Sequence, residues 1–152
     1  MQLMSPSAPI PLFDRFMGRL PEQSGVRLAP DEALRLSLRL DLTRLLNVRN
    51  GLSIDQFLDG APTSLDYGLP DTLGLSAQSA SDLQRWQQVV ARAIALYEPR
   101  LVQVRVVATP DRARPTLARI SIQALALLDS ELCQFLFDAA LGEHDVPAAR
   151  GN

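Results

Sequence analysis

The sequence predicts an α+β fold, with N-terminal helices followed by a long helix and a three-stranded antiparallel sheet. Two observations carry this. Leu83, Trp86, Val90, Ile94 and Tyr97 recur at steps of three and four, the spacing of a single core-facing helical stripe. Beyond Pro99 the apolar period drops to two, in successive segments at 102–107, 117–127 and 133–138, which is the period of half-buried strands. Short connections between these segments favour an antiparallel meander.

Taken in order, residues 1–10 hold prolines and serines without a packing pattern and read as a flexible leader. A single domain is expected over 11–141, and a flexible tail over 142–152. Leu12, Phe13, Phe16, Met17 and Leu20 follow helical spacing, with Pro11 suited to a first turn and with Gly18 and Pro21 limiting the length. Residues 21–30 read as a connecting loop.

Residues 31–47 alternate like a strand in LRLSLRLDL, but leucine and arginine are strong helix formers and no β-branched residue precedes Thr43. A helix is expected there, burying Leu34, Leu38, Leu42, Leu45 and Leu46 and leaving Leu36 and Leu40 as a small exposed patch. Asn47, Asn50 and Gly51 supply stop and turn signals. A helical turn is expected at 53–58. The stretch 63–75 reads as a structured loop in which Asp66 and Asp71 bond back to local amides and Leu65, Tyr67, Leu69 and Leu73 seek burial. The long helix, Ala80–Tyr97, is capped by Ser79 or Ser81, with Asp82 placed for a capping box.

Helix and sheet meet at Glu98-Pro99-Arg100. Proline ends the helix and drives Glu98 toward extended geometry. Glu98 then lies at the negative end of the helix dipole, where a carboxylate costs about 0.3 to 1 kcal/mol. Arg100 can neutralise it within the chain, or both can face a partner; the two readings are compatible.

The composition narrows the function classes. In 152 residues, 47% are apolar and 21% charged, with a net charge of −2, so neither nucleic acid nor an anionic membrane surface is indicated. All 15 basic residues are arginine. The one cysteine, Cys133, excludes an internal disulfide and reads as a buried thiol in a reducing compartment. No apolar run approaches the roughly 20 residues of a membrane span, and the first residues lack the pattern of a secretory signal. A cytoplasmic protein is expected.

Few residues offer chemistry. The one histidine, His144, falls in the tail segment, which argues against a histidine-based triad or metal site. Gly51, Gly60, Gly68 and Gly74 are isolated and make no phosphate loop. Glu98 is the best candidate acid, yet Arg100 beside it works against the raised pKa that a general acid needs. No catalytic residue, cofactor or metal is expected.

Three motifs then stand in a fixed order: LSLRLDLTRLLNVRN at 36–50, LDYGLPD at 65–71 and YEPRLVQVRV at 97–106. Together they closely resemble the TssE baseplate subunits of bacterial type VI secretion systems, a family shared with a wedge protein of contractile phage tails. LFDR at 12–15 is similar to the leader helix of that family, and the resemblance covers roughly residues 12–140. Val48 replaces a usual threonine and Thr72 a common aromatic, whereas Asn47, Arg49 and Glu98-Pro99-Arg100 match.

The resemblance implies a cytoplasmic structural component, not an enzyme, that couples the baseplate wedge to the first ring of the contractile sheath. Its implied partners are wedge subunits of the TssF, TssG and TssK kind, with Asn47, Arg49, Glu98, Pro99 and Arg100 as contact residues. Members of the family have been labelled lysozyme-like; the alternative is thus a peptidoglycan hydrolase with Glu98 as acid. The residues themselves add one more expectation. The segment 132–140, LCQFLFDAA, is a poorly protected sheet edge. Sheath subunits of the resembled family interlock by strand exchange, so the resemblance implies that an extended arm of a sheath subunit, of the TssB or TssC kind, pairs with it near Gln134 and Leu136.

Overall fold

The computed structural model describes residues 30–128 and 131–142. The expected leader, the 12–20 helix, the hairpin tip at 129–130 and the tail beyond Gly142 lie outside these residues. The elements follow the expected α+β order: helix α1 (Pro30–Asn47), a short helix α2 (Ile54–Asp59), the long helix α3 (Ala80–Tyr97), and strands β1 (Leu101–Pro110), β2 (Leu117–Leu128) and β3 (Glu131–Gly142). The strands form one antiparallel sheet in the order β1-β2-β3. By contacts the chain separates into two units, Met1–Asp41 and Leu42–Asn152, so the boundary falls inside α1 and the sheet lies wholly in the second.

Helix α1 resolves the ambiguity of its alternating leucines in favour of the helix. Asp31 and Glu32 occupy its first turn and Arg44 its last, each on the side the helix dipole favours. Leu38, Leu42, Leu45 and Leu46 are buried as expected. Leu36 and Leu40 are half-buried rather than exposed, which removes the small patch expected there.

Helix α2 begins on Ser53, whose hydroxyl accepts from Gln56 N while Gln56 Oε1 accepts from Ser53 N, a reciprocal cap. Arg92 of α3 closes its other end, donating from Nε to Phe57 O and from Nη2 to Gly60 O, each at 2.7 Å. A cation at the carbonyl end of a helix is favourable twice over, as donor and as charge.

Between α2 and α3 the loop is held by polar bonds rather than by apolar burial, which corrects the expectation for its leucines. Leu69 is buried, but Leu65 is 94% and Leu73 is 68% exposed. Asp66 Oδ2 instead accepts from Thr63 N at 2.8 Å, and Asp71 Oδ1 accepts from Leu73 N at 2.9 Å. Val48 O accepts from Leu69 N, and Leu69 O accepts from Asn50 N, so the loop pairs with the chain leaving α1. Gly68 has φ +114, and a Cβ there would stand 2.5 Å from Val48 O. Gly68→Ala is therefore expected to lower stability by at least about 2 kcal/mol, read as a shift in the urea midpoint.

Ser79 caps α3 by accepting from Asp82 N at 3.3 Å. The expected reciprocal bond is diverted, because Asp82 Oδ2 accepts from Ser76 N instead. Trp86, Val89, Val90, Ala93 and Ile94 are its buried face, and α3 packs against β1 and α2.

In an antiparallel sheet directly opposed residues share a face, so the register sorts every side chain. Ile120, Ile122, Ala124 and Ala126 point inward as expected and are all buried. Phe135, opposite Ala124, joins them from β3. Strand β1 departs from its simple alternation. Val102 opposes Leu125, on the outer face, whereas Val106 opposes Ile122, on the inner one. An irregularity between Val102 and Arg105 inserts one extra residue, and Gln103 takes φ 51 within it. One extra residue switches which parity faces the core.

The β1–β2 turn is organised by Asp111, whose Oδ1 accepts from Ala113 N at 2.9 Å and Arg114 N at 2.8 Å. The bond from Arg114 N is the main cause that holds its carboxyl below the ordinary 3.8, with the bond from Ala113 N and the charges of Arg114 and Arg119 adding to it against desolvation. A carboxylate lowered in the fold contributes stability that is present above its unfolded pKa and lost as the pH falls through the folded one. Asp111→Asn keeps the acceptor but removes the titration, so its urea midpoint is expected to fall less steeply than the parent's below the ordinary value of 3.8.

Candidate docking surface

The Glu98-Pro99-Arg100 joint is built by the helix stop. Glu98 adopts φ −130 and ψ 72, outside the α region that a following proline disfavours, while its N–H still closes the last helical turn on Ile94 O at 2.8 Å. No basic residue occupies that last turn. The missing cation comes from beyond the proline. Arg100 Nε donates to Glu98 Oε1 and its Nη2 to Oε2, both at 2.6 Å, a bidentate fork. Of the two compatible readings, the intramolecular pair is therefore present. Glu98 is only 4% exposed, whereas Pro99 is exposed and Arg100 half-buried. What the joint presents outward is the proline.

The residue before Glu98 anchors the neighbouring loop. The Tyr97 hydroxyl lies 2.9 Å from both Thr63 O and Asp66 O. Burial and the Asp66 charge raise its pKa, partly opposed by Arg92, so the hydroxyl stays a donor. Its ring meets Tyr67 edge-on, with centroids 5.3 Å apart. From the other side Asn50 Nδ2 donates to Asp66 O at 3.0 Å and Gly68 O at 3.2 Å. The stop of α1 and the stop of α3 thus grip one loop. Asn50 reads in the sequence only as a turn signal; its tie spans 16 and 18 residues, which no local pattern reveals.

Asn47 and Arg49 are both exposed at the end of α1. Arg49 Nη1 donates to Leu46 O at 2.6 Å, so its charge sits at the carbonyl end of that helix. Gln134 and Leu136 are exposed on the outer sheet face, opposite Leu125 and Gln123. Arg100 O accepts from Leu127 N at 3.3 Å, which brings the joint beside β2, whose other neighbour is β3. The candidate residues therefore fall into two groups: the joint with the outer sheet face, and the end of α1, connected to the joint through the 63–68 loop.

Both Glu98 oxygens accept from Arg100, and the residue is only 4% exposed. Among the described residues no cluster of His, Cys, Asp or Glu could hold a metal ion, and no helix is long and apolar enough to cross a membrane.

Residues 32–130 match the model of the family described as baseplate wedge protein gp25. The chain belongs to that family. The match spans the α1 stop, the gripped loop and the joint, the same segments that carry the resemblance in the sequence, and family membership gives the chain a structural role in a baseplate wedge. No curated protein matches the chain significantly. Among solved structures, a chain of the baseplate complex from the type VI secretion system overlays with a TM-score of 0.52 at 18% identity, over 76% of this chain and 100% of that one. A protein from Geobacter sulfurreducens described as a tail lysozyme overlays with a TM-score of 0.47 at 20% identity, over 79% of this chain and 98% of that one. The first shows a shared fold; the second is too loose to decide anything.

Proposed function

We propose that this family member is a cytoplasmic baseplate component of a type VI secretion system that links the wedge complex to the first ring of the contractile sheath. The observation that carries the reading is the joint: a buried, bidentate Glu98–Arg100 pair holds Pro99 outward at the seam of helix and sheet. A rigid projection of this kind suits assembly, because little ordering entropy is lost on docking. Asn47 and Arg49 form the second contact point, and wedge subunits of the TssF, TssG and TssK kind are the partners.

The sheath contact is assigned to the β3 edge. The β1 edge is obstructed, since its strand is bulged and the Ala108 N–H already donates to Gln87 Oε1 of α3 at 2.9 Å. Strand β3 keeps unbroken register with β2 through 12 pairs. Gln134, Phe135 and Leu136 are not free, so an incoming arm of a TssB or TssC kind exchanges for contacts they already make. Proline at Gln134 or at Leu136 is expected to impair sheath assembly with little change in the circular dichroism of the isolated protein. Normal sheath assembly in both would place that contact elsewhere.

The wedge reading is tested by co-purification with the wedge subunits. Pro99→Asp and Asn47→Arg change exposed groups, and each is expected to reduce recovered partner at least tenfold while the melting temperature stays within a few degrees. Full recovery in both would overturn the reading. Purified protein is also expected to release no muropeptides from cell-wall sacculi. Release abolished by Glu98→Gln would establish the hydrolase instead.

A further inference from the structure

The outer face of the sheet carries an apolar end and a basic stretch, and of these residues the contacts proposed above involve only Leu136. Val102 is 38%, Leu127 is 55%, and Leu132 and Leu136 are each 52% exposed. The register places them together: Val102 opposes Leu125, and Leu127 opposes Leu132. Further along the same face lie Arg105, opposite Gln123, and Arg119, opposite Thr109 and Ala140. Neither arginine makes an ion pair among the described residues. The one carboxylate on this face, Asp138, already accepts from Ser121 Oγ at 2.6 Å.

We propose that this outer face docks an amphipathic helix of another baseplate subunit, with aliphatic residues over Val102, Leu127, Leu132 and Leu136 and carboxylates over Arg105 and Arg119. The proposal rests on the baseplate reading for the source of the helix only. The inner face of the sheet is already buried, with α3 packed against β1, so a helix on the outer face completes a layered sandwich. Three strands about 4.8 Å apart offer a width of about 10 Å, that of one helix.

The dimensions also set the length. From the Leu127 row to the Arg119 row is eight residues of β2, or about 26 Å, which a helix of about 18 residues spans. Its carbonyl end belongs over the arginines, because the dipole is negative there. The aliphatic residues then lie in its N-terminal half.

A second copy of the chain fits the face less well. The apolar end covers about 10 by 13 Å, well short of the roughly 800 Å² that each partner of a stable pair buries. Enlarging the contact would set two arginines from each copy against a face whose single carboxylate is already engaged.

The test uses the full chain and three fluorescein-labelled helical peptides of about 18 residues. One carries leucines in its N-terminal half and glutamates in its C-terminal half; the second has the reverse order; the third replaces glutamate by lysine. Fluorescence anisotropy is expected to show the first binding at least tenfold more tightly than the others, and progressively less well as salt rises. Leu127→Asp and Leu136→Asp should each abolish binding with the melting temperature within a few degrees. Arg105→Glu should reverse the preference toward the lysine peptide. Equal binding of all three peptides, or binding indifferent to these substitutions, overturns the proposal. A concentration-dependent dimer in sedimentation that Leu127→Asp dissociates assigns the face to a second copy and overturns it too. Binding that appears only in a Phe13→Asp, Phe16→Asp chain assigns the face to the chain's own residues 12–20, and the proposal fails in that case as well. Because the peptides are independent of any baseplate, specific peptide binding by a chain that fails to co-purify with wedge subunits would reject the baseplate reading alone.

Discussion

Arg100→Ala is expected to lower the stability of the protein by about 3 kcal/mol, and its melting temperature by roughly 10 °C. The cost comes from what is left behind. Glu98 is 4% exposed and both its oxygens accept from Arg100; without the guanidinium a buried carboxylate faces the negative end of α3 with no opposite charge supplied by the helix's last turn. Removing one partner of a buried pair costs more than the pair itself contributes, since desolvation of the survivor is no longer offset. Glu98→Gln is the milder change, costing about 1 kcal/mol, because the amide oxygen still accepts from Arg100, which is only half-buried. Thermal unfolding followed by circular dichroism should rank the two variants in that order. Equal effects would mean that the pair adds nothing beyond its hydrogen bonds.

This result bears on how the joint is used. From the sequence alone, charge reversal at Glu98 or Arg100 is expected to weaken docking and leave stability untouched. The buried pair makes that separation unattainable, and exposed Pro99 and Asn47 become the positions at which docking is tested without disturbing the fold.

Phe135→Ala is expected to cost about 4 kcal/mol, while Leu136→Ala, one residue away, should cost less than about 1 kcal/mol. Phe135 is 1% exposed and opposes Ala124 on the inner face; Leu136 is 52% exposed and opposes Gln123 on the outer one. Urea denaturation of the two variants, with unchanged slopes, separates the faces of β3 directly. A comparable loss at Leu136 would show that the outer face is packed in solution, and would contradict its availability to a docking helix.

Much of the architecture is legible in the sequence because it depends on local periodicity. The stripe from Leu83 to Tyr97 and the stop at Pro99 define α3 without reference to the rest of the chain, and the period-two segments define three strands. The inward set of β2, Ile120 to Ala126, follows from the same rule, as does the helical turn after Ser53. The family is legible too, since the three motifs lie in order along the chain.

Tertiary structure decided the rest, where a residue's partner lies far away in sequence or where one residue of register changes every side chain that follows. The extra residue near Gln103 puts Val102 on the outer face and Val106 on the inner, against a uniform alternation. Leu65 and Leu73 are apolar and still exposed; hydrogen bonds from Asn50 and Tyr97 fix the 63–68 part of their loop without apolar burial. Asp82 could have completed a cap on Ser79, but the preceding loop brings Ser76 N to its carboxylate. Whether Glu98 and Arg100 pair or point outward is open in the sequence; the burial of Glu98 beneath the helix–sheet seam decides for the pair, since a carboxylate removed from water requires a charge beside it. The apolar outer end of the sheet likewise exists only once Val102, Leu127 and Leu132, each unremarkable in its own strand, are aligned by the register.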